Sequence, residues 1–192
     1  MSDAAAQRRA RQTVINLALS LLATLGLVLA IVLMVPRDDT NRIQRVDYQQ
    51  IAADAMSSSQ SNVVVPDMPK GWWCNRATWN ASPVDAVPAF EAGFVGPNNE
   101  YIGMVEGFGA NPTWLALKLQ GTKLTGAQTG SRFGHWDIYT ATEKHDPAKD
   151  WDYVMVFNWN KDDYIMLYGN ATPEQFADMA ARTDSKASET VE

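Results

Sequence analysis

The chain has a single cysteine, Cys74, among 192 residues, so no internal disulfide can form. It has only two histidines, His135 and His145, too few and too isolated to suggest a zinc site. A Gly-x-Ser-x-Gly elbow, a zincin helix, a phosphate loop and a Cys-x-x-Cys pair are all missing. Gly107-Phe108-Gly109 lacks the third glycine of a dinucleotide fingerprint, and it follows an alternating strand pattern. Asp146, Asp150 and Asp152, and the pair Asp162-Asp163, lack the spacing and the glycine of a calcium loop. These absences argue for no metal, no cofactor and no standard catalytic signature. Two short glycosylation sequons, Asn80-Ala81-Ser82 and Asn170-Ala171-Thr172, are patterns that arise often by chance.

Charge is missing in a more telling way. No Asp, Glu, Lys or Arg occurs from Gln12 to Pro36, and residues 14–35 form an apolar run closed by a proline. At about 1.5 Å per residue such a run crosses a hydrocarbon core of about 30 Å. It is longer than the core of a cleaved signal peptide, and Met34-Val35-Pro36-Arg37 offers no small-x-small cleavage site. A retained transmembrane helix is therefore expected. Arg8, Arg9 and Arg11 precede it, which puts residues 1–13 in the cytoplasm and everything after the helix outside the plasma membrane. Residues 37–192 carry 13 basic and 21 acidic side chains, a net of −8. An outer domain so acidic is a poor partner for nucleic acid.

On a helical projection Asn16, Ser20, Ala23, Thr24, Gly26 and Ala30 fall within one half of the circumference, opposite Leu21, Leu25, Val28, Leu29 and Val32. Small and hydroxylated residues let membrane helices approach and bond one another, so this half is the expected partner-helix face. Small residues are common in membrane helices, however, and hydroxyls can return to their own backbone.

Beyond a linker at 36–46, the segment 47–183 reads as one α+β domain, an antiparallel β-sheet covered by helices, followed by a disordered polar tail at 184–192. A helix is expected from Asp47-Tyr48 to about Ser58, with Tyr48, Ile51 and Ala55 on its apolar side. Val63-Val64-Val65 and Arg76–Trp79 read as strands. The stretch from Gly93 to Gly107 alternates on both sides of Pro97-Asn98-Asn99 and reads as a β-hairpin, its glycines marking a bulge or a close approach. Asn111-Pro112 opens a second helix. Residues 118–132 read as a loop rich in Gly and Thr, followed by strands at 135–142, 152–159 and 164–169. Thr172-Pro173-Glu174-Gln175 is a capping box that starts a last helix with Phe176, Met179 and Ala180 facing inward.

Seven tryptophans remain to be placed. A domain without disulfides needs large side chains in its core, and most are expected there. Trp72 and Trp73 are adjacent and point apart, so one of them is the expected exposed contact. Cys74, next to them, is expected to be buried.

Arg11-Gln12-Thr13, Pro36-Arg37, Val46-Asp47-Tyr48, Pro69-x-Gly71-Trp72, Gly93-Phe94-Val95-x-Pro97, Glu100-Tyr101 and Gly134-x-Trp136 occur in that order. In these motifs the chain resembles single-pass envelope proteins of actinobacteria that share a domain of unknown function. Gly96 departs from the pattern, where threonine is expected. The resemblance implies a location, an envelope protein anchored in the plasma membrane, and supplies no activity or ligand.

Three functions fit these observations. The first is a non-enzymatic accessory subunit of a larger plasma-membrane assembly, respiratory or envelope, docked through the membrane helix and surrounded by lipid. The second is an extracytoplasmic carrier or sensor for lipid or glycan with a tryptophan-lined pocket. The third is an envelope hydrolase using His135 with nearby acids.

Overall fold

A computed structural model of the chain describes residues 3–34, 44–59, 61–129, 135–142 and 152–191. The chain divides into two compact units, Met1–Arg42 and Ile43–Glu192. The expected proline stop at Pro36, most of the linker, His145 and Trp151 lie outside the described residues.

Among the described residues the first unit is a single helix, α1 (Asp3–Met34). It begins well before the expected span, so the arginines Arg8, Arg9 and Arg11 are helical too. Within it Gln7–Met34, 28 residues, is long and apolar enough to cross a membrane. From Thr13 to Met34 the helix carries no charged residue and has large apolar side chains on every side, the pattern of a helix whose solvent is lipid or another helix.

The second unit is the expected α+β domain. Helix α2 (Tyr48–Ser59) precedes strands β1 (Trp73–Asn80), β2 (Ala89–Val95) and β3 (Tyr101–Gly107). Helix α3 (Pro112–Lys118), strands β4 (Thr122–Thr129), β5 (His135–Ala141), β6 (Tyr153–Asn160) and β7 (Asp163–Gly169), and helix α4 (Pro173–Val191) complete it. All pairings are antiparallel, and the seven strands stand in the order β1-β2-β3-β7-β6-β5-β4. After β3 the chain crosses through α3 to the far edge and meanders back, so β7 closes the centre against β3.

One sheet face carries Phe90, Ala92, Phe94, Ile102, Met104, Met155, Phe157, Ile165 and Leu167, and it is buried beneath α2, the 61–72 crossing and α4. Asp47 caps α2 by accepting Gln50 N–H at 3.1 Å, and Ala52 and Ala55 turn inward. Tyr48 stands edge-on to Phe94 with ring centroids 5.2 Å apart, and its hydroxyl donates to Pro66 O at 3.0 Å. The hydroxyls of Ser57, Ser58 and Ser59 bond back to helix carbonyls, competing with the backbone where α2 ends. Trp136 stacks on Phe157 at 5.0 Å in the same layer. The other face has Val105, Val154, Val156 and Met166 as its core, with Trp114 of α3 and the half-buried Tyr139, Tyr164 and Tyr168 packed on it.

Three expectations fail. Val63–Val65 forms no strand, because the Val64 N–H donates to a side-chain carboxylate rather than to a ladder. The Gly- and Thr-rich stretch expected as a loop contains β4, an edge strand exposed along nearly its whole length. The expected polar tail is helical to Val191, and Asp184 and Ala187 are buried in it. Phe176, Met179, Ala180, Thr183 and Ala187 recur at helical spacing, so the apolar stripe of α4 continues with small side chains.

The glycines of the β2–β3 hairpin mark close approaches of rings rather than a bulge. Tyr168 lies over Gly103, where an added Cβ would stand 2.7 Å from its Cε1, and the Tyr101 hydroxyl would stand 2.9 Å from a Cβ at Gly93. Gly103→Ala is expected to lose about 1–3 kcal/mol of stability by overpacking. Gly126→Ala, with open space around it, is expected to change stability by no more than about 0.5 kcal/mol. Urea unfolding of the detergent-solubilised chain, followed by tryptophan fluorescence, measures both.

Candidate functional site

The hairpin turn closes with Gly96 N–H donating to Glu100 O at 2.8 Å and Asn99 N–H donating to Gly96 O at 3.2 Å. Asn99 takes φ 66°, the left-handed conformation that asparagine tolerates. The Glu100 carboxylate accepts Asn98 N–H at 2.8 Å, Asn98 Nδ2 at 3.0 Å and Gln175 Nε2 at 3.0 Å. It therefore closes its own turn and fastens it to the start of α4. Those bonds, first from the Asn98 and then the Gln175 side chain, hold its carboxyl down at about 2. Next to it, Tyr101 N–H donates to Asn170 Oδ1 at 2.8 Å, and Asn170 N–H returns to Tyr101 O at 3.2 Å. The Asn of the second sequon is thus a structural link between β3 and the β7–α4 junction.

Trp72 lies against this turn. A Cβ at Gly96 would stand 3.1 Å from Trp72 Cζ2 and 2.6 Å from Glu100 Oε2, so glycine lets the indole pack close to the backbone here. The 66–72 crossing turns with Trp72 N–H on Pro69 O at 3.1 Å, and Gly71 takes φ 89°. Between this crossing and the first turns of α4 lies a cleft of about 170 Å³ lined by Pro69, Trp72, Glu174, Gln175, Asp178 and Met179. The α4 start is capped as its sequence predicts, with Gln175 N–H on Thr172 Oγ1 at 3.4 Å and Thr172 N–H on Gln175 Oε1 at 2.9 Å. Asp178 pairs with Arg182 at 2.9 Å, and Arg182 also reaches Asp67 O at 3.4 Å.

Deeper in the domain is a group that the sequence reading places on a strand face but does not single out. Glu106 is fully buried between Phe90 and Ile165, its register partners on β2 and β7, and accepts Val64 N–H on both oxygens at 3.0 Å. Burial pushes its carboxyl well above the ordinary range, opposed by the Val64 bond and reinforced by nearby Asp163. This contact fastens the 61–66 segment across the sheet. Its signal in the sequence is Glu106 standing in register with Ile102, Met104 and Phe108 in an otherwise apolar row.

The sequence profile of the family described as "Protein of unknown function (DUF4245)" matches residues 9–183. The chain belongs to this family. No curated protein and no solved structure matches the chain. The DUF4245 match spans most of α1 together with all seven strands and the first half of α4, so the family pairs the apolar helix with the sheet domain.

On the DUF4245 fold the expected site residues fall in separate places. Asn16, Ser20, Ala23, Thr24, Gly26 and Ala30 are all exposed on α1, and nothing stands within 4 Å of a Cβ at Gly26. Thr24 Oγ1 donates to Ser20 O at 3.0 Å and Leu21 O at 2.9 Å, so this hydroxyl is satisfied by its own helix. Trp72 and Trp73 are both half-buried; Trp72 lines the cleft and touches the core, while Trp73 opens the edge strand β1 opposite Val95. Trp114, Trp136 and Trp159 are core residues, as expected, and Cys74 is buried with its thiol donating to Arg76 O at 3.1 Å. His135 pairs through Nε2 with Asp137 Oδ1 at 3.1 Å, on side chains 63% and 39% exposed.

The two carboxyls give opposite pH dependences. Glu100 has a folded value near 2 against an ordinary 4.5, so its contribution to stability is present above 4.5 and lost as pH falls toward 2. Glu106 has a raised folded value, so its contribution is present below 4.5 and lost as pH rises above it, by up to about 1.4 kcal/mol per pH unit. Glu100→Gln is expected to flatten the acid side of the stability profile and Glu106→Gln the side above pH 4.5. Urea midpoints across pH for the two variants measure this.

Proposed function

We propose that this chain is a single-pass protein of the cell envelope, with its N-terminus in the cytoplasm and its sheet domain outside. There it acts as a non-enzymatic accessory subunit of a larger plasma-membrane assembly. The observation that carries the reading is α1, whose stretch Gln7–Met34 is long and apolar enough to cross a membrane. Such a surface needs lipid or a second membrane helix around it. The basic residues Arg8, Arg9 and Arg11 at the N-terminal end of the span and the net acidic charge after it favour the stated orientation. The resemblance to actinobacterial envelope proteins agrees with that location.

The small side chains at Ala23, Gly26 and Ala30 suit close packing against a partner helix. The intrahelical bonds of Thr24 shift the weight of this face from hydroxyl bonding to van der Waals contact. The Trp72 cleft, at about 170 Å³, is smaller than the roughly 300–1,000 Å³ of a drug-sized ligand pocket, so it lends no support to a lipid or glycan carrier. His135 has an acidic neighbour but stands in an exposed setting, unlike the water-poor sites in which acid–base groups are tuned.

Photo-crosslinking residues placed singly at Ala23, Gly26 and Ala30 are expected to give a discrete adduct with another membrane protein in native membranes. Placement at Leu21 or Leu25 is expected to give mainly lipid adducts. Equal adducts from both faces, or lipid adducts alone, would remove the docking reading. Protease added to intact spheroplasts is expected to digest the sheet domain; its protection would remove the orientation.

A further inference from the structure

We infer that the Trp72 cleft receives a basic side chain, an arginine above all, from a polypeptide partner of the sheet domain. The inference deepens the accessory reading and rests on it only for the partner being a protein. The cleft has an apolar interior, with Pro69 and the fully buried Met179, and an aromatic wall from Trp72. Its rim is acidic: Glu174 and Asp178 are one turn apart on α4 and project on the same side. Glu100, charged down to about pH 2, is tied to Gln175 of the cleft lining, and its Oε2 and the Trp72 indole both stand close to the Cβ position of Gly96.

The charges do not cancel locally. Arg182 neutralises Asp178, but Glu174 has no basic partner among the described residues. Bonding from its own backbone N–H, then from Thr172, lowers its carboxyl below the ordinary value. An anion is a poor alternative occupant, because the Thr172–Gln175 capping box already uses the N–H groups at the start of α4. The net −8 of residues 37–192 would draw a basic segment toward this unit from a distance.

An arginine fits these features better than a lysine. Its planar guanidinium can stack on an indole while its N–H fork reaches a carboxylate, and its methylenes can lie on Pro69. The cleft is suited to one such side chain rather than to an acyl chain or a sugar ring system.

The test uses the full chain in detergent micelles with ¹⁵N-labelled tryptophan, the Trp72 indole signal being assigned from a Trp72→Phe sample. N-acetyl-L-arginine amide is expected to shift that signal saturably in the millimolar range, and the neutral citrulline analogue is expected not to. Glu174→Gln, a surface change that leaves the core intact, is expected to weaken the arginine response about threefold. Equal responses to arginine and citrulline would overturn the inference, as would an arginine response unchanged by Glu174→Gln, or no saturable shift at all. These results are independent of the helix crosslinks, so either reading can fail while the other stands.

Discussion

Burial of one sheet face from both ends of the domain is the constraint on which the rest of this structure depends. Without a disulfide, the domain is held mainly by apolar contact and hydrogen bonding. Elements before the sheet, α2 and the 61–72 crossing, cover it together with α4, which follows the last strand. The chain segment that covers most directly without forming a helix or strand is the one around Val63 and Val64, both buried. A backbone N–H in that position must find an acceptor, because an unpaired buried donor costs about 1–3 kcal/mol. Glu106 supplies the acceptor from inside the sheet, at the cost of burying a carboxyl that then favours its protonated form.

A second carboxyl does the opposite work at the surface. Glu100 stays ionised because donors from Asn98 and Gln175 surround it. It brings the β2–β3 turn against the start of α4, and the same turn gives Trp72 a backbone surface at Gly96 to lie on. The cleft beside Trp72 therefore follows from how the sheet face is covered. Its apolar wall belongs to the crossing, its acidic rim to α4, and its spacing to the turn that joins two central strands.

The helix and the domain present different chemistries to their surroundings. The helix offers apolar area with a few small side chains, which suits lipid and another helix. The domain offers a net negative surface with one half-open tryptophan at its acidic cleft, which suits a basic group in water. On the proposed function, a partner that satisfied both would cross the membrane and carry a basic segment on the side of the sheet domain, and two weak contacts on one chain would reinforce each other through effective concentration.

Much of the fold was legible because its signals are local. The Asp47, Asn111 and Thr172 caps, the Pro97-Asn98-Asn99 turn and the alternation of β2 and β3 each act within a few residues. β4 was not legible, because an edge strand with little burial on either face carries no alternation for a sequence to show. The end of α4 was missed because Thr183 and Ala187 form an apolar stripe too small to stand out among polar neighbours. Trp72 was picked out as one of a pair, but its cleft could not be, since Trp72 and Asp178 lie more than a hundred positions apart in the chain. By itself the sequence determined the uncharged span, the acidic balance after it, the missing disulfide and the capped helices, since these depend on composition and near neighbours. Only the tertiary structure decided that Glu106 is buried against Val64, that Tyr168 fills the space over Gly103 and that a cleft opens beside Trp72. Each of these is a meeting of distant segments, and it is the register of the sheet and the burial of its faces that bring them together.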